Sequence, residues 1–199
     1  MRPSNEYNIL LSPVGPLDPE LLKAIATSVS KVFHYPTRTQ SLMEDFFFAF
    51  DGLRSQFHST AILHELARAS PPDAIRVLAI VEVDLFIPIL THVYGEAQLG
   101  GKACVISTYR LKDGLGAVSS HSAIEERSIK EALHELGHTF NLRHCKDNAC
   151  IMHYCHTVRD VDRKENQLCR YCRILLEDEL RQIERLFPPA GQADHEIRT

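Results

Sequence analysis

The stretch His134-Glu135-Leu136-Gly137-His138-Thr139-Phe140-Asn141-Leu142-Arg143-His144-Cys145 decides how the rest of the chain is read. An α-helix turns once in about 3.6 residues, so positions i and i+4 share a face. His134 and His138 therefore point the same way and can grip one ion. Glu135 sits beside them, placed to act on a water at that ion. His144 joins them only if the chain turns back sharply after the helix. Zinc with three protein ligands keeps a fourth position open, and hydrolysis needs that position. Asn141 lies between the second and third histidines, where a sharp turn calls for positive φ; glycine suits this best and asparagine next. Gly137, inside the helix, costs about 1 kcal/mol relative to alanine, so it either permits close packing or is neutral.

HExxH alone is a modest signal, because a surface helix can carry two histidines by chance. The surroundings argue against that bland reading. Ser122, with Glu125 three residues on, reads as a capping box at the helix start. Ile129, Leu133, Leu136 and Phe140 form one apolar stripe, which reads simply as core. A methionine, Met152, and a cysteine cluster follow at short range. The chemistry expected of such a site is hydrolytic. Zinc lowers the pKa of bound water towards ~7, Glu135 takes the proton and passes it to the leaving amine, and the metal polarises the scissile carbonyl.

The chain has 199 residues, enough for one domain with a real core and room for two lobes. A net charge of −4 gives no reason to expect nucleic acid or an anionic membrane as partner. The N-terminal MRPSNEYNILLSPVGP lacks the basic start and long apolar core of a signal peptide, and no apolar run is long enough to span a bilayer. A cytoplasmic location is the default expectation. Thiols stay reduced there, so clustered cysteines read better as metal ligands than as disulfides. Five of the six cysteines lie between Cys145 and Cys172. The CxxC of Cys169 and Cys172 is half of a zinc knuckle, and Cys145 with Cys150 supplies the other half at wider spacing. Cys155 is a rival fifth thiol, while Cys104 stands in an apolar run and reads as core.

The remaining pattern alternates strands and helices. Strands are expected at Tyr7–Val14, Thr37–Gln40, Ile75–Phe86 and Lys102–Arg110, and helices at Asp18–Val32, Ser59–Ala69 and Arg173–Phe187. Leu176, Leu180, Ile183 and Phe187 should face inward on the last helix. Met43–Leu53 is rich in phenylalanine and has no clear assignment. Pro188-Pro189 should end the last helix.

The series HELGHTFNLRHC, then Cys150-Ile151-Met152, then Cys169-Arg170-Tyr171-Cys172 resembles the archaemetzincins, minimal metzincin-type zinc metallopeptidases. The upstream run VEVDLFIPILTHVYGEAQLGGKACVISTYRL is similar to that family as well. The resemblance implies His134, His138 and His144 as ligands of a catalytic zinc and Glu135 as general base. It implies Met152 as the methionine of a Met-turn beneath the metal. A second, structural zinc would be held by Cys145, Cys150, Cys169 and Cys172. The family's glycine is replaced here by Asn141, which bears on the tightness of the turn and not on the ligand set. Ile151-Met152-His153-Tyr154 also resembles the Met-turn of astacin-like metzincins, whose tyrosine assists the oxyanion. The plainer reading of Tyr154 is a partly buried tyrosine near the site. His153 and His156 are expected to face solvent.

The fold implied is α/β: a metzincin-like zincin with a twisted mixed β-sheet, an active-site helix and a small C-terminal lobe. The expected division is an N-terminal lobe over 1–141, a C-terminal lobe over 142–188 and a mobile tail over 189–199. The expected function is hydrolysis of peptide bonds, with an extended peptide pairing to a sheet edge. Lys102–Arg110 is the candidate edge strand, against the plainer reading of an interior strand. Two other readings share the zinc site: an amide hydrolase acting on a non-peptide substrate, and a zinc-binding regulatory protein with little turnover. Glu135 weighs against the last, since a binding module has no need of a base beside the open zinc position.

Overall fold

The computed structural model describes residues 7–115 and 120–186. The chain opens with β1 (Asn8–Pro13), α1 (Pro19–Phe33) and β2 (Thr37–Thr39). Asp18 caps α1 by accepting from the Glu20 amide, with Pro19 just inside. The helix ends at His34, which takes φ 61°. The phenylalanine-rich stretch becomes a short 3-10 turn, Phe47–Ala49, leading into the hairpin β3 (Phe50–Asp51) and β4 (Gln56–His58). Next come α2 (Ser59–Ala69), β5 (Ala74–Val81), β6 (Leu85–Phe86), β7 (Gly95–Ala97) and β8 (Ala103–Ser107). The chain then forms α3 (Ser120–Thr139), α4 (Val158–Arg163) and α5 (Arg170–Leu186).

The main sheet runs in the order β2-β1-β5-β8-β7. β2, β1, β5 and β8 are mutually parallel, and β7 pairs antiparallel with β8. Side chains alternate across a strand, and the sequence fills both faces. Ile9, Leu11, Leu78, Ile80, Cys104 and Ile106 join α1 and α3 on one face. Leu10, Val77, Ala79, Val81 and Val105 join Ile62, Leu63 and Leu66 of α2 on the other. Both faces are covered, so the central strands are buried continuously and read as unbroken apolar runs. The first core also takes in Cys150, Ile151, Met152 and the inner face of α5 through Cys172, Leu176, Leu180 and Ile183.

Four expectations change. The run from Ile75 to Phe86 is two strands, because β6 leaves the main sheet to pair with β4 in a second, three-stranded sheet. Lys102–Arg110 is not the sheet edge: β8 lies between β5 and β7, and the antiparallel edge is β7. A three-residue strand is too short to announce itself by alternation. Ser122 is no cap, since α3 is already helical at Ser120. The short α4 was not anticipated, although Thr157 and Asp160 form a reciprocal capping box at its start. Phe187, Pro188-Pro189 and the tail over 189–199 lie outside the described residues. Among the described residues, no helix is long and apolar enough to cross a membrane.

Candidate metal centre

α3 lays its apolar stripe into the core through Leu133, Leu136 and Phe140, while its histidines face a cleft. The helix ends in a Schellman motif: the Leu142 amide donates to the Gly137 carbonyl at 3.0 Å and the Asn141 amide to the His138 carbonyl at 2.9 Å. Asn141 occupies the left-handed position, at φ 62°. Its side-chain amide donates to Glu179 of α5, which ties the turn to the last helix. This reversal brings His144 back over the helix. The ligand atoms of His134, His138 and His144 lie within 4.8 Å of one another.

Hydrogen bonding sets the tautomers of two of them. Nδ1 of His134 lies 2.8 Å from the Ile151 carbonyl, and Nδ1 of His138 lies 2.7 Å from the Leu142 carbonyl. A carbonyl only accepts, so both Nδ1 atoms must donate. Both Nε2 atoms then carry lone pairs, and they face each other at 3.1 Å. Two lone pairs at that distance repel unless a cation sits between them. A proton is a poor candidate. Burial pushes His134 well below the ordinary imidazole range, helped by the nearby Lys164 cation. Burial likewise takes His138 down to about 4 and lowers His144. Neutral imidazoles with converging lone pairs and backbone-anchored Nδ1 protons suit a divalent transition metal.

Glu135 is buried at the cleft floor. Burial raises its carboxyl well above the usual range, Glu131 adds to this, and Lys164 opposes it. A dication nearby favours the carboxylate. Two glycines make room for this arrangement. A Cβ on Gly137 would meet the Met152 sulfur at 2.5 Å, so the thioether packs directly on the helix backbone. A Cβ on Gly95 of β7 would lie 2.6 Å from Cγ of Glu135 and 2.7 Å from the Val105 carbonyl. The ambiguity over Gly137 is resolved in favour of packing. Gly95 was missed, because nothing in a three-residue strand announces a glutamate from another element.

The sequence reading also missed two ion pairs, one of them fully buried, that tie α3 to the segment around α4. Lys164 contacts Glu131 at 2.8 Å, with side-chain exposures of 0% and 5%. Burial works against the Lys164 charge, but Glu131 and Cys155 overcome it and raise the ammonium pKa. Arg127 forks onto Asp162 at 2.7 and 2.8 Å and also donates to the carbonyls of Leu111 and Asp113. The helical spacing of 127 and 131 was the available signal. Lys164 and Glu131 line the same cleft as Glu135, as do Tyr94, Gly95, Glu96, Tyr154 and Cys155; its volume is about 650 Å³. Tyr154 is partly exposed, with its ring 4.9 Å from that of His144.

The thiols of Cys145, Cys150, Cys169 and Cys172 form a second cluster, again with ligand atoms within 4.8 Å of one another. Sγ of Cys145 and Cys169 are 3.8 Å apart, and all six cysteines are free. A tetrahedral zinc with Zn–S of about 2.3 Å has S···S edges of roughly 3.8 Å, so the spacing suits that ion. The amides of Cys169 and Cys172 donate to the sulfurs of Cys150 and Cys169, as thiolates would require. Burial raises Cys150 and Cys172, which disfavours bare thiolates and leaves the charge to be met by a metal. Cys155 stands outside the cluster, near Tyr94 and Val161. The two sites are coupled: Cys145 follows His144 directly, and its amide donates to the Met152 carbonyl at 2.9 Å.

A mixed α/β sheet with a histidine triad, a buried glutamate and an open cleft defines the class of zinc metallopeptidases. The sequence profile of peptidase family M54 matches residues 17–178. An archaemetzincin of Halobacterium salinarum is 36% identical over 165 residues, covering 81% of this chain and 94% of that protein. The crystal structure of archaemetzincin from Methanopyrus kandleri superposes with a TM-score of 0.74 at 31% identity, covering 91% of this chain and 98% of that one. A zinc-dependent peptidase of Methanocorpusculum labreanum superposes with a TM-score of 0.74 at 25% identity, covering 85% and 100%. The chain belongs to peptidase family M54, the archaemetzincin family of zinc metallopeptidases.

Proposed function

We propose that the chain hydrolyses peptide bonds with a catalytic zinc held by His134, His138 and His144, and with Glu135 as general base. The observation that carries this reading is the pair of Nε2 lone pairs facing at 3.1 Å beside the buried Glu135. Bound there, the ion supplies Lewis acidity, acidifying water and polarising the scissile carbonyl. Glu135 takes the proton from the attacking water and returns it to the leaving amine. Gly95 keeps the space that Glu135 occupies, and Met152 supports the helix beneath the histidines. Tyr154 stands at the cleft with its hydroxyl available to a developing oxyanion. The substrate lies extended along β7, whose outer edge has no strand neighbour among the described residues and borders the cleft. Peptide hydrolysis is favoured over action on a small amide by this edge, since a small molecule makes no use of a strand-pairing face.

A second, structural zinc held by Cys145, Cys150, Cys169 and Cys172 fastens the loop after α3 to α5. Asn141 is the hinge between an N-terminal lobe over 1–141 and a C-terminal lobe over 142–188. The unpaired thiols fit a reducing compartment such as the cytoplasm. The test combines metal analysis with cleavage of a peptide library by the wild type and Glu135→Ala. The expected outcome is two zinc ions per chain in both proteins, with cleavage in the wild type only. Two zinc ions without cleavage of any peptide would overturn the reading.

A further inference from the structure

Phe47, Phe48, Phe50, Leu53, Ile89 and Leu90 are large apolar side chains standing in water on the β3–β4 hairpin and the β6–β7 connection. Leu53 is fully exposed and Ile89 is 86% exposed. The frame beneath them is well tied. The Asp51 carboxylate accepts from the amides of Leu53 and Arg54 at 2.9 and 3.1 Å. The Arg54 guanidinium lies 4.2 Å over the Phe86 ring and donates to the Leu90 carbonyl at 2.8 Å. Gln56 donates to the Thr91 carbonyl at 2.9 Å. These bonds join the hairpin to the segment that follows β6, and in that segment Leu90 and Thr91 form a wall of the cleft. The apolar surface therefore runs on from the cleft that holds Glu135. A fixed apolar patch of this kind marks an interaction site.

We propose that this surface docks apolar residues of a polypeptide substrate on the C-terminal side of the cleaved bond. The proposal rests on the reading of the cleft as a peptide site, and the direction of the chain follows from β7. Gly95 abuts Glu135, so the reacting bond lies at its level. From there β7 runs through Ala97, away from Leu90. A substrate pairing antiparallel, the slightly more stable arrangement, runs the other way. Its residues beyond the cleaved bond pass Tyr94 and Thr91 and reach Leu90, and then the hairpin. The segment from Leu90 to Gly95 bends at Leu90, Thr91 and Tyr94, so it spans less than the roughly 17 Å of five fully extended residues. Docking then begins up to about five residues past the cleaved bond, beyond the reach of the shortest peptides. The substrate class is a long, unfolded or locally unfolded polypeptide with exposed apolar residues. A second copy of this chain is the rival occupant, but it leaves the continuity with the cleft wall unused.

The test uses the zinc-loaded full chain and two fluorescence-quenched peptides. Both share a cleaved core taken from the peptide library and four residues beyond the cut. One continues with alternating Leu and Phe, the other with alternating Ser and Gly. The wild type should show a KM about tenfold lower for the apolar extension, with similar kcat. Leu53→Ser combined with Ile89→Ser should abolish that advantage and leave kcat/KM for the Ser-Gly peptide unchanged. An advantage that survives both substitutions overturns the proposal. Binding of the two labelled extensions to a Glu135→Ala background, read by fluorescence anisotropy, separates docking from catalysis. If nothing is cleaved, the hydrolytic reading fails, yet tenfold weaker binding of the apolar extension to the substituted surface still supports docking. Equal binding overturns it. Sedimentation that shows a dimer lost on substitution, with peptide binding intact, overturns it in favour of a second copy.

Discussion

Gly95→Ala tests the proposed role of Glu135 as a base held against the edge strand. The added Cβ would lie 2.6 Å from Cγ and 2.9 Å from Cδ of Glu135, and 2.7 Å from the Val105 carbonyl oxygen. Ordinary contacts of this kind start near 3.4 Å, so something must move by more than half an ångström. Val105 is pinned in the ladder opposite Glu96. Glu96 is itself held by the hydroxyls of Ser59 and Thr60 at the start of α2, so β7 has little freedom to retreat. The side chain of Glu135 yields first. Alanine gains about 0.5–1 kcal/mol over glycine in a strand, and overpacking costs about 1–3 kcal/mol. The net loss is then about 1 kcal/mol, a few degrees in Tm for a chain of this size. The effect on turnover is far larger, because a base displaced by about 1 Å loses on the order of 100-fold in rate. The assay measures kcat, zinc content and urea stability together. The expected pattern is retained zinc, a small stability change and kcat down about 100-fold. Gly52→Ala is the control, since its Cβ would meet nothing closer than 3.9 Å. A Gly95→Ala enzyme with wild-type kcat would refute the placement of Glu135 against β7.

Lys164→Met strands the Glu131 carboxylate in the interior and should cost about 3–5 kcal/mol in chemical denaturation, whereas Lys164→Met with Glu131→Leu should recover most of it; equal losses in the single and double variants would show that the two charges are not coupled. The raised Lys164 pKa gives stability that is complete below the ordinary lysine value and is lost as pH climbs through the raised one, so the wild type should weaken in strong alkali and the double variant should weaken less. The depressed histidines act in the opposite sense: for the metal-free protein, stability present above about pH 6.5 is lost as pH falls towards 4, with at most about 3 kcal/mol from His138. A pH series of denaturation curves on apo protein checks this, and zinc affinity measured by competition should hold until the pH nears 4, where His138 takes up a proton, and fall below it. Cys172→Ser should drop the metal content below two per chain and reduce activity as well, because the backbone runs from His144 straight into Cys145; full zinc with unchanged stability would count against a four-cysteine site.

Local chemistry made the two candidate metal-binding clusters legible, while the cleft around them depended on distant pairings. The i, i+4 histidines, the asparagine able to take positive φ and the CxxC each express a constraint within a few residues, and the chain meets each constraint where it is written. Gly95 and Lys164 obey no local rule. Gly95 is needed because β7, after a connection carrying no regular pattern, is set antiparallel beside β8 and meets a side chain forty residues away in sequence. Lys164 looks like an ordinary surface lysine in Asp162-Arg163-Lys164-Glu165 until α4 folds it against Glu131. The same reason decides between the two readings of Lys102–Arg110 in favour of the interior strand. Its apolar pattern reports burial, which an interior strand has in full, whereas a true edge strand shows weaker patterning. In β7 all three residues are only partly buried. Pattern strength is thus a poor guide to a substrate-binding edge: the strand best suited to pair with a substrate is the one whose outer side stays free and whose sequence says least. A search for such edges does better to begin from a glycine that leaves room for a buried acidic side chain of the cleft, as Gly95 does for Glu135.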